Sequence, residues 1–305
     1  MHAAGLRPGP FPGPLTAYPS TAPRLADMVE VTWRRVAPGV YVRRHEELNL
    51  NCGLVVGDDR ALVIDTRSYH EHGLELLAAV REVTDKELVV VNTHAHYDHC
   101  FGNSAFRDSQ IYAHAGAVDD LLRTGEHQRE QIVAHVRATD REHMARMIEA
   151  TEIVLPFYVI EDDTTLDLGG RTVELLWAGR AHTDHDLSVA VPDAHVVFAG
   201  DLVEEGADPM MEDAFPQEWA ATLRALTAKP AAELADVWVP GHGAVVDRAF
   251  VEEQTAQLAQ LAERFTEVID GGLAGVDALL SACRGLGFED QTLRDAAVRA
   301  LELRA

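Results

Sequence analysis

The chain has 305 residues, 47% of them hydrophobic and 25% charged, an ordinary globular mixture with enough length to bury a sizeable core. Its 26 Lys plus Arg against 50 Asp plus Glu give a formal net charge of −24. That balance excludes a general nucleic-acid binder and opposes docking on anionic lipid, since both need a basic face. No apolar run reaches the length of a membrane span, and three cysteines make no disulfide framework. The first residues lack the charged start and continuous apolar stretch of a signal peptide, so the expected location is the cytoplasm.

Residues 1–25 are rich in Pro and Gly and carry no periodic apolar pattern, which predicts a flexible tail. A catalytic domain is expected over 26–250 and a C-terminal helical extension over 251–305. Val40–Arg43, Asn51–Val56 and Ala61–Ile64 read as strands, the last two joined by a turn at Gly57-Asp58-Asp59. A helix follows over His70–Val83, with Leu74, Leu77, Ala78 and Val80 on one side. Leu88–Asn92 is a continuous apolar run, as in a buried strand. Another strand is expected at Gln110–Ala113, and 115–150 has a helical pattern. Thr164–Leu168 and Arg171–Trp177 flank Gly169-Gly170, and Leu187–Val191 and His195–Phe198 flank Pro192-Asp193, so both pairs read as hairpins. Then come a helix over Pro216–Ala228, a strand at Asp236–Val239, and three helices over 248–270, 275–283 and 291–303.

Histidine is the unusual residue, at 15. His94, His96, Asp98 and His99 fall within six residues directly after the apolar strand, in the pattern H-x-H-x-D-H. Residues i and i+2 in extended backbone point to the same side, so His94 and His96 can converge on one ion. The chain then turns toward a helix, which lets Asp98 and His99 face a second point nearby. Three later segments repeat the logic. His182 follows the strand ending at Trp177, Asp201 follows the apolar run 196–199 as Gly200-Asp201, and His242 follows Val237-Trp238-Val239 as Pro240-Gly241-His242-Gly243. Imidazole and carboxylate are ligands that zinc, iron and manganese share. A lone His or Asp at a strand end is most often a turn or cap residue, but four strand ends in this order point to a metal centre.

On these residues, together with Asp65 in Val63-Ile64-Asp65-Thr66, the sequence resembles the metallo-β-lactamase-fold hydrolases over about residues 36–250. The resemblance implies an α/β fold, the αβ/βα four-layer sandwich, here with a C-terminal helical extension. It implies a first metal site of His94, His96 and His182, a second of Asp98, His99 and His242, and Asp201 bridging the two. Asp65 would support the ligands without being one. The implied cofactors are two divalent ions, zinc first, with manganese or iron as alternatives. Asp201 stands where the best-known subclass of zinc β-lactamases has a cysteine, a departure toward the glyoxalase II-like branch.

The expected activity is hydrolysis of a small ester, thioester, lactone or lactam by metal-bound hydroxide, with Asp98 as the catalytic carboxylate that orients the nucleophile and handles its proton. The alternative of the same fold is a persulfide dioxygenase-type oxidoreductase with one iron held by two His and an Asp. The expected partner is a small-molecule substrate, with no nucleic acid and no membrane. His185, three residues after His182, is a candidate substrate contact. His70, His72, His114, His127, His135 and His143 are expected at exposed positions, and Cys100 as a small packing residue. The acidic stretch Glu204, Glu205, Asp208, Glu212, Asp213 and Glu218 reads as a solvated loop. Residues 115–150 are expected either to pack outside the sandwich or to wall the substrate pocket. The C-terminal apolar positions Leu258, Leu261, Phe265, Val268 and Ile269 are expected to face the core or a second copy in a homo-oligomer.

Overall fold

The computed structural model describes residues 32–272 and 275–304. The expected tail at 1–25 lies outside them. The first sheet has seven strands in chain order: β1 (Arg34–Ala37), β2 (Val40–Arg44), β3 (Asn51–Val56), β4 (Arg60–Ile64), β5 (Glu87–Val91), β6 (Gln110–His114) and β7 (Tyr158–Ile160). Strands β1 to β4 run antiparallel, and β4 to β7 are parallel neighbours. The second sheet has β8 (Thr164–Asp167), β9 (Thr172–Trp177), β10 (Leu187–Val191), β11 (Val196–Glu204) and β12 (Val237–His242), with β12 parallel to β11 and the rest antiparallel.

Strand periodicity decides which side chains meet between the sheets. On β4, Leu62 and Ile64 face inward, where they join Val40, Val42, Val89 and Val91 of the same sheet and Leu175, Leu187, Val189, Phe198 and Val239 of the other. Ala61 and Val63 face outward and pack against Leu76 and Val80 of helix α1 (His70–Val83). The outer face of the second sheet carries a larger cluster. There Ala190, Val197 and Trp238 pack with residues of α5 (Trp219–Thr227), α7 (Arg248–Asp270), α8 (Val276–Cys283) and α9 (Asp290–Glu302). The expected sandwich with helices outside and a C-terminal helical layer is therefore the observed fold. The remaining helices are α2 (Tyr97–Cys100), α3 (Ala115–Ala138), α4 (Glu142–Ala150) and α6 (Pro230–Glu233).

Several expected elements shift. The helix expected from Pro216 begins at Trp219. The strand expected to end at Phe198 continues through Gly200 and Asp201 to Glu204, with shifts of register against β12 at both intervals. The short edge strand β7 was not expected, because three residues are too few to show a period. Gly169 and Gly170 behave as the hairpin signal predicts: both sit at positive φ, +79° and +65°, the backbone of the tight turn that matches strand twist.

Candidate metal centre

The sandwich brings five loop or strand ends to one edge. Asp65 follows β4, residues 93–99 follow β5, His182 lies between β9 and β10, Asp201 lies within β11, and His242 ends β12. His96 is the N-cap of α2, and Asp98 and His99 occupy its single turn. Two groups of donor atoms result, each with its members within 4.8 Å of one another. One is His94, His96, His182 and Asp201, and the other is Asp98, His99 and His242. All seven residues predicted as ligands are present in these groups.

Asp201 joins them. Its Oδ2 is 3.6 Å from His94 Nε2, 3.8 Å from His182 Nε2 and 3.4 Å from His242 Nε2, while its Oδ1 is 3.3 Å from His99 Nε2. Asp98 Oδ2 lies 3.4 Å from His242 Nε2 and 3.7 Å from His99 Nε2. Gly241 allows this approach: a Cβ there would lie 1.7 Å from Asp201 Oδ1.

Each imidazole has a ring nitrogen held by a neighbouring group, and the Nε2 atoms of His99 and His242 also lie 3.2 Å apart. His94 Nδ1 meets Thr93 Oγ1 at 3.0 Å, His99 Nδ1 meets Asp65 Oδ2 at 2.8 Å, His182 Nδ1 meets Asp186 Oδ1 at 3.2 Å, and His242 Nδ1 donates to Leu48 O at 2.7 Å. His96 is held at Nε2, 2.9 Å from Asp213 Oδ2. Fixing one ring nitrogen orients a histidine and raises its basicity at the other. The resulting centre leaves His94 Nε2, His182 Nε2 and Asp201 Oδ1 buried without a hydrogen bond. Unpaired buried polar atoms cost about 1–3 kcal/mol each. Two unpaired imidazole nitrogens within 3.8 Å of a buried carboxylate that itself has an unpaired oxygen fit a divalent cation, and a hydrogen-bonded core does not explain them.

The electrostatics agree. Burial opposes charge on His182, but its hydrogen bond to Asp186 and the charges of Asp186 and Asp201 raise its pKa to about 10. Burial likewise opposes charge on His242, and Asp201 and Asp98 outweigh it, raising the pKa to about 9. His94 goes the other way: burial and the neighbouring His99 hold it well below the usual value. Burial raises the Glu204 carboxyl to about 7, with the Asp201 charge adding to the effect.

Asp65 contacts Thr93 and His99. Its Oδ1 accepts from Thr93 N at 2.8 Å, and its Oδ2 accepts from Thr93 Oγ1 at 2.9 Å as well as meeting His99. It sits at φ +62°, in the left-handed region that a non-glycine residue rarely adopts. His185 is buried. Ala95 N donates to its Nε2 at 3.2 Å, so Nδ1 carries the proton and donates to Asp184 Oδ1 at 2.7 Å. The ring thus grips the peptide between His94 and His96. Gln128 of α3 holds the same residue from the other side, donating to Ala95 O at 3.3 Å. Leu121, Ile132, Val136, Met144 and Ile148 of α3 and α4 pack with Ala95, Tyr97, Cys100 and Phe101. Cys100 is buried, as expected.

Two expectations need correction. The acidic stretch is not a solvated loop: Glu204 is buried at the end of β11, none of the other five is fully exposed, and Asp213 holds a ligand. His70, His72, His114 and His135 are half-buried; only His127 and His143 of that set are exposed. His45, unremarked in the sequence, is buried too. Among the supporting residues, Asp186 had a signal in the sequence, four residues after His182 in a run of His and Asp. Asp213 had none, since its partner is 117 residues away.

The family model described as the metallo-beta-lactamase superfamily matches residues 46–242. The chain belongs to that superfamily. It is a metallo-hydrolase of the family, and the family match ends before α7, so α7 to α9 lie beyond it. A curated relative, "Metallo-beta-lactamase type 2" of Bacillus cereus, is 24% identical over 204 residues, 65% of this chain and 69% of its own length. Among solved structures, a metallo-beta-lactamase from Pontibacter korlensis superposes with a TM-score of 0.60 at 20% identity, covering 76% of this chain and 99% of its own. FIM-1 from Pseudomonas aeruginosa, in its mono-zinc form, gives 0.60 at 21% identity over 77% and 96%. These structural likenesses support the fold, and the relatives carry β-lactamase names where the sequence pointed to a glyoxalase II-like branch.

Proposed function

We propose that this metallo-hydrolase holds two divalent ions, zinc in the first place, and hydrolyses a small carbonyl compound: an ester, thioester, lactone or lactam. The observation that carries the reading is the pair of ligand groups joined by Asp201. When bound, such a pair of ions polarises a carbonyl oxygen and acidifies water near neutral pH. A zinc-containing relative of the same fold supports the metal. The carboxylate at 201 in place of cysteine supports the glyoxalase II-like branch, and the β-lactamase names of the relatives support a lactam among the substrates to be tried.

The residues divide the work. His94, His96 and His182 would hold the first ion, His99, His242 and Asp98 the second, and Asp201 would share its two oxygens between them. Asp98 is 7% exposed, with its carboxylate at the edge of the second group. There it would orient the attacking water and take its proton. Asp98→Asn preserves size and removes the acceptor. Hydrolysis of the best substrate in a panel of esters, thioesters, lactones and lactams should fall by at least about a hundredfold, with metal retained in the first site. Near-normal turnover of Asp98→Asn would remove that residue from the chemistry. The one-iron oxidoreductase reading is disfavoured by the second group, Asp98, His99 and His242, gathered beside the first. Oxygen uptake with one iron per chain would restore it.

A further inference from the structure

The segment between Asp201 and α5 lies between the metal centre and the C-terminal helices. On its inner side, Asp213 Oδ2 is 2.9 Å from His96 Nε2, and Phe215 N donates to Ala181 O, next to His182, at 2.7 Å. On its outer side it is tied three times to helices beyond the family match. Asp208 Oδ2 accepts from Glu289 N, the N-cap residue of α9, at 2.6 Å. Gln217 Nε2 donates to Thr266 Oγ1 of α7 at 2.9 Å. Arg299 of α9 donates through Nε to Ala214 O at 2.9 Å, and its guanidinium lies 5.3 Å from the Phe215 ring centroid. A second guanidinium, Arg180, lies 4.6 Å from the same ring. Met211 and Ala214 are buried in the same cluster as Leu293, Ala296, Ala297 and Ala300 of α9.

We infer that Arg299 is a positioning residue for the first metal site: by fixing the backbone at Ala214 and the Phe215 ring it sets Asp213 against His96. The C-terminal extension then tunes the site as well as adding a helical layer. The inference rests on the two-ion reading and concerns a residue outside the family match. The geometry favours it for two reasons. Ala214 directly follows Asp213, so displacement of its carbonyl passes to the carboxylate through one peptide unit. Arg299 is also only partly exposed, with a side chain 20% accessible: its Nη1 lies 3.6 Å from Glu302 Oε2 of the same helix while Nε serves Ala214 O, and the single ammonium of Lys carries no second donor fixed in that plane.

The test is metal affinity, which needs no substrate. Apparent dissociation constants for zinc at each site are measured against a competing chelator, and the absorption spectrum of the cobalt-substituted protein reports the first-site geometry. Removing a group that orients a ligand typically costs about 10- to 100-fold in affinity. Asp213→Asn should fall in that range, and Arg299→Ala, one link further out, should weaken the first site by about tenfold and shift its cobalt spectrum. Arg299→Lys should behave like Arg299→Ala, and Arg294→Ala, on the exposed face of α9, should bind like the wild type. In the Asp213→Asn background, Arg299→Ala should add nothing, because both act through one contact. Unchanged affinity and spectrum in Arg299→Ala and Arg299→Lys, with only the melting temperature lowered, would overturn the inference, as would additive losses in the double variant. A wild-type chain that binds no zinc would overturn the two-ion reading itself.

Discussion

Asp201 lies within 3.8 Å of four imidazole nitrogens, and that crowding is the central fact at the scale of single residues. In the metal-free chain, protons neutralise the crowded carboxylates. His182 and His242, raised to about 10 and about 9, stay protonated beside Asp201 and Asp186 well above neutrality. A folded-state pKa above the unfolded value of 6.5 means that the native chain binds more protons over that interval. The stabilisation is complete below the unfolded pKa and is lost as pH rises through the folded values. Metal-stripped protein should therefore lose stability between about pH 6.5 and about pH 8.5, a window that precedes the ionisation of unfolded thiols. Saturating zinc should reverse the trend, because ligands must shed those protons to bind the ion. Denaturant melts in chelator at the two pH values check this. A metal-free chain more stable at the higher pH would contradict the assignment of these protons.

At the scale of elements, the C-terminal helices make the clearest case. Leu258, Leu261, Phe265 and Ile269 of α7 are buried against the chain's own core, together with Trp219, Leu223 and Trp238. Phe265 is 0% exposed, so Phe265→Ala should cost about 3–5 kcal/mol in stability. Zinc stoichiometry at saturating metal should hold. Denaturant titration with metal analysis reads both, and a loss below about 1 kcal/mol would show that the helix packs more loosely than described. These helices were legible in the sequence because their apolar residues recur at three- and four-residue spacing. So were the candidate ligands, because each is a His or Asp that follows an apolar run in the sequence. The supporting contacts were less so. Asp213, Leu48 O and Gln128 meet the centre only through the folded arrangement of distant segments, and no periodicity encodes a contact across 117 or 194 residues. The continuation of β11 past Phe198 was hidden for a similar reason: Gly200 looks like a strand terminator, yet at φ +57° it bends the strand without ending it.

At the scale of the whole molecule, the net charge of −24 acts on whatever approaches the site. The side chain of Asp213, 42% exposed beside His96, adds to that field locally. A negative potential raises the barrier to anionic substrates and is screened by salt, with a Debye length of about 30 Å at 0.01 M and about 8 Å at 0.15 M. For an anionic ester or thioester, KM should fall as salt rises over that range, while a neutral substrate of the same class should show little change. An identical salt response for both would mean that the field does not reach the pocket. Seven side chains from four segments of the chain, Asp201 among them, would form one two-ion centre. Metal analysis of the purified, zinc-supplied protein tests it most directly, beside the variants His242→Ala and Asp201→Ala. The expected result is two ions per chain in the wild type, one in His242→Ala, and weakened binding of both in Asp201→Ala. One ion in the wild type, or loss of a single ion in Asp201→Ala with the other bound as before, would contradict it.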